Sequence, residues 1–513
     1  MASSLQENFE KLKEKVLDKR PVLKEIITKR GDKNLFDYAK EYISVNLNNP
    51  IRFRQDELIG TFKEEVAKRL GEEVAEGAAA QLENYYFVST TDHHGPLLSP
   101  FFINGNLAAA APYFEMADPL LKYVIVLPCA NVSLNNSSYP RGLIFNSCKN
   151  GKITFHRIPF FPANMRLCPV YNFRPYTPED IKRARQLLRV EVTDNNLPQE
   201  EADKVSKIID EVYDQPDIYA CDNYSDQVTK TNFKIWKRFF GPSSEKSPDL
   251  IYIEQEALVA RLLVKYHLNT DTTITHILFD NAYDSLIDQY FDNIQGAFSR
   301  KENYGTYLFW ALPKGAKYRI QLWKKGNKLV SDDGSYELEL TPENVEKALN
   351  SKELIPSMMM TFIVLSFYYG LKCLGGFSQV NYLTFMKKAY IKMQTERGNY
   401  RSIEVCARAQ TKEIGGDFTI TFINGPKGEM LPATGIDLIL YGDENTWPTL
   451  LEESKTIKLE EALNPIMPEF YSIIYTEVQR DPELSKVTST DITKLTRLEK
   501  KIKACCKIKD HKE

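Results

Sequence analysis

The sequence predicts an α/β protein: a Rossmann-like core with a mixed or parallel sheet, an N-terminal helical region, a helical insertion and a smaller α+β C-terminal region. Three observations lead there. Helical periodicity runs from residue 5 to about 83. Short, continuously apolar strands then alternate with helix-length segments, the pattern of a sheet covered on both faces. A charged, well-capped helical stretch interrupts that alternation. With 513 residues the chain exceeds one compact core, and about three domains are expected at roughly 150 residues each. The pattern changes divide it into a helical region, 1–83, an α/β core, 84–395, with a helical insertion over about 177–240, and an α+β region, 396–513.

Taken in order, Leu12, Val16 and Leu23 form the apolar side of a Lys/Glu-rich helix, and Phe36, Tyr38, Ala39 and Ile43 mark a second. Leu58, Ile59, Phe62, Val66 and Leu70 make the stripe of a third, with Gly71 standing where it stops. Strand signals follow at 85–90, 123–127, 142–145 and 153–155, with a covering helix around Ala108–Ala111. Thr177-Pro178-Glu179-Asp180 is a strong helix start: a capping hydroxyl, a first-turn proline and two acids suited to the helix dipole. The runs 250–253, 274–279, 307–310 and 318–322 read as further strands. Residues 343–393 return to helix, and 418–422 reads as a strand before a charged helical tail.

A net charge of −3 and a pI near 6.2 give no general attraction to nucleic acid or anionic membrane. The N-terminus lacks the apolar core of a signal peptide. The eight cysteines form no Cys-x-x-Cys pair and read as reduced thiols. The uncharged run Leu354–Leu371 is barely long enough to span a bilayer and carries proline, serine and tyrosine, so a buried central helix is expected. Together these predict a cytoplasmic protein with a small-molecule substrate, no nucleic-acid or membrane partner and a possible homodimer through its helical regions. No cofactor is assignable from these residues.

The leading site candidate is Thr91-Asp92-His93-His94-Gly95, at the carboxyl end of a strand, where open α/β sheets bind ligands. Extended backbone places Asp92 and His94 on one side and Thr91 and His93 on the other. A carboxylate beside an imidazole suits a general base or a metal ligand. Asp92, His93 and His94 are therefore the candidate catalytic residues, with Asp92 and His94 the favoured pair. Thr91 and Gly95 are placed against the substrate. A polar loop, 131–142, follows the apolar strand ending near Leu127. Its Asn135 and Asn136 suit hydroxyl or amide groups, and Arg141 suits an anion. Arg157, in an arginine- and aromatic-rich segment running to Tyr176, is a second anion candidate. Gly375-Gly376-Phe377-Ser378-Gln379 opens a helix, where Gly375, Gly376 and Gln379 would let a ligand approach backbone N–H groups. There is no phosphate-loop ending, no Gly-x-Ser-x-Gly elbow and no cysteine beside a histidine in sequence, so no nucleophile is nominated.

The segments Val88–Leu97, Leu354-Ile355-Pro356-Ser357 and Gly375–Gln379 with Tyr382 together resemble the cysteine-adding enzymes of bacillithiol synthesis. Members carry a Rossmann-like core, a helical coiled-coil extension, a strand with a glycine- and glutamine-rich loop, and a later Gly-Gly block before a helix. Here Asp92 and His93 replace the glutamines of the first loop, and an apolar insertion interrupts the second block. The resemblance implies a related fold with a site made by both blocks, and a condensation or ligation. The expected function is thus an enzyme acting on a small polar metabolite bearing a carboxylate, amine or sugar. The alternatives are a metal-dependent hydrolase using Asp92, His93 and His94, and a non-enzymatic ligand-binding or scaffold protein.

Overall fold

The computed structural model describes residues 2–44, 51–503 and 505–512. Its centre is a four-stranded, all-parallel sheet of β1 (Phe87–Ser89), β2 (Tyr123–Val126), β3 (Asp249–Tyr252) and β4 (Lys372–Leu374), in the spatial order β4-β1-β2-β3. The sheet partitions the apolar core, because successive side chains of a strand point to opposite faces. Phe87, Val124, Val126, Leu250, Tyr252 and Leu374 join one hydrophobic cluster, while Val88, Tyr123, Ile125, Ile251 and Cys373 join the other. Both faces are covered, which is why these strands read as unbroken apolar runs.

The helices follow from the crossovers. Between β1 and β2 lies α1 (Pro100–Ala110), and before β3 lies α2 (Tyr224–Trp236); both bury their apolar residues in the first cluster. After β3 the chain must travel back across the sheet to reach β4. Its helix α3 (Gln255–Tyr266) accordingly packs Leu258, Val259, Leu262 and Leu263 into the second cluster. Crossovers of one hand running in opposite directions require opposite faces. Helix α4 (Gln379–Glu396) follows β4 and buries Leu383, Met386, Tyr390 and Met393 on that same second face.

The five N-terminal helices, Ala2–Asp18 to Glu72–Tyr85, divide between the clusters. The first three pack with C-terminal residues such as Leu463, Ile466 and Tyr471, and the last two against the second face. Gly71 ends the fourth at φ 92°. Thr177 caps Pro178–Thr193 through a reciprocal box, its Oγ1 accepting from Asp180 N–H at 3.3 Å and the Asp180 carboxylate accepting from Thr177 N–H at 3.0 Å.

Several elements differ from the sequence reading. Residues 274–279 lie in a helix, Thr273–Phe279, not a strand. Thr272 caps it, accepting from Thr275 N–H at 3.2 Å, and this cap overrides the β-branched composition. The strand expected over 85–90 shrinks to 87–89, because Tyr86 ends the preceding helix in the left-handed region at φ 44°. Leu354–Leu371 is buried but opens as a strand, Leu354–Pro356, paired with Phe309–Ala311, before Ser357 caps Met358–Phe362. Residues 418–421 carry no regular structure, and the strand there is Phe422–Asn424. Among the described residues no helix is long and apolar enough to cross a membrane.

Candidate active site

At the carboxyl ends of the four strands lies a cavity of about 350 Å³. Thr90, Thr91, Asp92 and His93 enter it from beyond β1, Cys129 and Asn131 from beyond β2, Gln255 and Glu256 from the start of α3, and Gln379 and Tyr382 from α4. Trp310, Arg319 and Tyr304 close it from the segment between β3 and β4. β1 is flanked by β4 and β2, and the chains leaving β1 and β4 turn to opposite faces. Such a reversal opens a crevice above a parallel sheet. Gln379 spans it, its Nε2 donating to Thr90 Oγ1 at 2.5 Å.

The segment after β1 changes partners as it leaves the sheet. Thr90 N–H donates to Leu374 O of β4, whereas Asp92 O accepts from Cys129 N–H and His94 N–H donates to Cys129 O, each at 2.8 Å. Past this switch, adjacent Asp92 and His93 both line the cavity. His94 does not. Its ring is fully buried, stacked on Tyr252 with centroids 5.4 Å apart, and its Nε2 meets Ser225 O at 3.1 Å. Asp92 and His94 still share Tyr252 as a neighbour, as alternation on one side requires. The cavity pair, however, is Asp92 with His93, and burial pushes His94 down to about 4, keeping it neutral.

His93 has a defined tautomer. Asn136 Oδ1 accepts from Ser138 N–H at 3.1 Å and Ser138 Oγ at 2.9 Å, which fixes its amide orientation. The contact of His93 Nδ1 with that same oxygen, at 2.8 Å, is therefore an N–H donation, and Nε2 is left as an acceptor. Burial lowers the imidazole below its ordinary value, so His93 is neutral near pH 7. Asp92 is only 1% exposed, and burial raises its carboxyl to about 7, against hydrogen bonds from Asn106 Nδ2 at 2.9 Å and the Tyr252 hydroxyl. One cavity thus holds an imidazole able to accept a proton and a carboxyl able to hold or release one near neutrality.

The opposite wall is built on Glu256, the second residue of α3. Its carboxylate accepts from the N–H groups of Ala130 at 2.9 Å and Asn131 at 3.0 Å, and from Cys129 Sγ at 3.2 Å. Arg319 lies with its guanidinium carbon 4.3 Å from the Trp310 ring centroid and donates Nη1 to Asn131 Oδ1 at 2.6 Å and to Asn131 O. Burial lowers its pKa, against the pull of Cys129 and Glu256.

No family model matches the chain, and no curated protein matches it.

The structure separates the remaining candidates. Thr91 and Gln379 line the cavity, and Asn136 acts on it through His93. Asn135 is exposed and accepts from Ser133 Oγ. Arg141 lies over Tyr139, and Arg157 over Phe155, by the antiparallel hairpin Gly142–Pro159, which belongs to a separate sheet. That is why neither arginine reaches the cavity. Gly95 packs against Pro140, where a Cβ would lie 2.6 Å from the proline Cβ. Gly375 pairs its backbone with Glu413 and Gly415, and a Cβ at Gly376 would lie 2.4 Å from Asp417 Oδ2. These glycines serve close packing within the protein. His94 lies outside the cavity, so Asp92, His93 and His94 do not converge there, and among the described residues no group of three or more His, Cys, Asp or Glu side chains is arranged to hold a metal ion.

Sequence reasoning missed Glu256, Cys129, Arg319 and Trp310. Glu256 had a local signal, an acid in the first turn of a helix that follows a strand. Arg319 had none, since it reaches the cavity from a segment nearly 200 residues beyond its partner Asn131.

Proposed function

We propose that this chain is an enzyme acting on a small polar metabolite in the cavity above the parallel sheet, with a Rossmann-like core as its scaffold. The observation that carries the proposal is the convergence of Asp92 and His93 on one cavity of about 350 Å³, a volume suited to a small ligand. His93 Nε2 is the general base. Asp92 is the group that holds or returns the proton, and Gln379 and Thr91 position the ligand between them. The resemblance of the segments Val88–Leu97 and Gly375–Gln379 to blocks of the cysteine-adding enzymes of bacillithiol synthesis is the sole support for condensation or ligation, and Asp92 and His93 are departures from that family's pattern.

A thermal-shift screen of a metabolite panel tests this on the wild type, Asp92→Asn and His93→Gln. Ligands are expected to stabilise the wild type, with both variants changing the response while retaining their fold by circular dichroism. Equal stabilisation of all three proteins sinks the assignment of the pair. A panel with no stabilising member favours the scaffold reading.

A further inference from the structure

Among the described residues lining the cavity, Arg319 is the single cationic side chain, and its guanidinium is built for recognition. Trp310 supports its plane at 4.3 Å, and Asn131 takes Nη1 through both its side-chain and main-chain oxygens. Among the described residues no carboxylate forms an ion pair with it: the neighbouring Glu256 is engaged by two backbone N–H groups and the Cys129 thiol. The Nε and Nη2 edge therefore keeps its donors for something else. A planar guanidinium fixed on an aromatic face, with one edge open, matches two oxygens of an oxyanion.

Gln255, beside Glu256 on the same wall, supplies an independent observation. It is 3% exposed and lines the cavity, yet its Oε1 has no hydrogen-bond partner among the described residues. A buried acceptor in that state is satisfied by an N–H or O–H group from a ligand or by water.

Building on the proposed cavity site, we infer that the ligand carries a carboxylate, bound by Arg319, and an N–H or O–H donor that meets Gln255 Oε1. A carboxylate is preferred to a phosphate on charge balance. One guanidinium matches one negative charge, whereas a phosphate dianion would face Asp92 and Glu256 with no second cation in the described lining. Arg319 is thus a specificity-determining residue, in the role that sequence reasoning assigned to Arg141 and Arg157.

The test is titration of the full chain with glycolate, pyruvate and succinate, with glycolamide and succinamide as uncharged matches, and with inorganic phosphate. Wild type, Arg319→Gln, Arg319→Lys, Gln255→Leu and Asp92→Asn are compared by calorimetry and thermal shift. At least one carboxylate is expected to bind and its amide not to. Arg319→Gln weakens that binding on the order of 10- to 100-fold, the span of a charge-assisted hydrogen-bonded pair. Arg319→Lys recovers part of it, and Gln255→Leu weakens the donor-bearing glycolate but not pyruvate. Phosphate binding in preference to every carboxylate overturns the assigned class. Carboxylate binding that is lost in Asp92→Asn but unchanged in Arg319→Gln overturns the role of Arg319 while leaving the cavity site standing. No binding by any probe overturns the carboxylate inference, while hits from the wider metabolite panel would still uphold the cavity site.

Discussion

Replacing Asp92 by asparagine should make the protein more stable, and increasingly so as pH rises. Asp92 is 1% exposed, and burial lifts its carboxyl from an ordinary value near 3.8 to about 7. Between those values the unfolded chain has released the proton and the folded protein still holds it. Stability then falls with rising pH, by about 1.4 kcal/mol for each pH unit. The penalty is absent below about pH 4, accumulates through the window from about 4 to 7, and reaches about 4 kcal/mol as an upper bound above that window. The substituted amide would have no proton to lose. It would keep the bond from Asn106 Nδ2 through its carbonyl oxygen and offer its own N–H to the Tyr252 hydroxyl oxygen. The wild-type profile alone is a poor readout, because His94, held at about 4, contributes a slope of opposite sign over nearly the same window. The informative quantity is the difference between variant and wild type in urea unfolding at half-unit steps from about pH 4 to 8. It should grow in the variant's favour by about 2 kcal/mol or more, a conservative part of that upper bound. A difference independent of pH, of either sign, would refute the account of Asp92 as a carboxyl kept neutral by burial.

Three further outcomes follow from the same geometry. His94→Phe should lose its advantage as pH rises: burial depresses the wild-type imidazole from 6.5 to about 4, so wild-type stability is full above 6.5 and is lost toward 4, and the variant-minus-wild-type difference in urea unfolding should favour phenylalanine most at low pH. A difference that does not change with pH would show that His94 does not titrate in that window. Asn136→Ala should release His93 Nδ1 and the Ser138 donors, costing about 1–2 kcal/mol and mixing the His93 tautomers, which nitrogen-15 NMR of the imidazole would report; an unchanged tautomer would show that Asn136 does not set it. Gly376→Ala should cost about 1–3 kcal/mol, because the new methyl would sit 2.4 Å from Asp417 Oδ2, the acceptor of the Phe377 N–H; a thermal midpoint equal to wild type would contradict that close approach.

What the sequence revealed depended on whether its signal was local. Tyr123–Leu127 and Leu250–Ile253 were legible as buried strands because both faces of the sheet are covered. Thr177 was legible as a cap because its box closes within three residues. Ile274–Phe279 was misread because β-branched residues favour strands only when a sheet is there to receive them, and a capping threonine can win instead. In the site, Asp92 and His93 were found because a strand end is recognisable, but their pairing was not. That depended on the hand-over from Leu374 to Cys129, a tertiary hydrogen-bond pattern with no local trace. The arginines named from sequence were those nearest the polar loop in the chain, whereas Arg319 reaches the cavity because the segment between β3 and β4 folds back over the strand ends.

The contrast between Asp92 and Glu254 shows how the fold assigns protons. Both carboxyls are buried to 1% exposure, and burial pushes both upward. Beside Glu254, the Lys352 ammonium lies 3.4 Å away, Arg69 adds favourable charge, and the Ser225 hydroxyl donates; these outweigh burial and hold it at about 2. Arg69 is further committed to Asp226 at 2.6 Å and Glu65 at 2.7 Å. Asp92 meets the neutral donors Asn106 and Tyr252, and Asp417 adds like charge, so burial prevails. The cations Lys352 and Arg69 are consumed by Glu254, Asp226 and Glu65, and the cavity keeps a carboxyl that titrates near neutrality. Charge partners, against a common effect of burial, thus decide which of the two acids keeps its proton near neutrality. It follows that a cation introduced on the cavity side, as in Thr91→Lys, should depress Asp92 and remove the proton reservoir without touching the Glu254 cluster. Carbon-13 NMR of the Asp92 carboxyl, titrated in both proteins, reads this directly, and a midpoint unmoved by the new cation would contradict it.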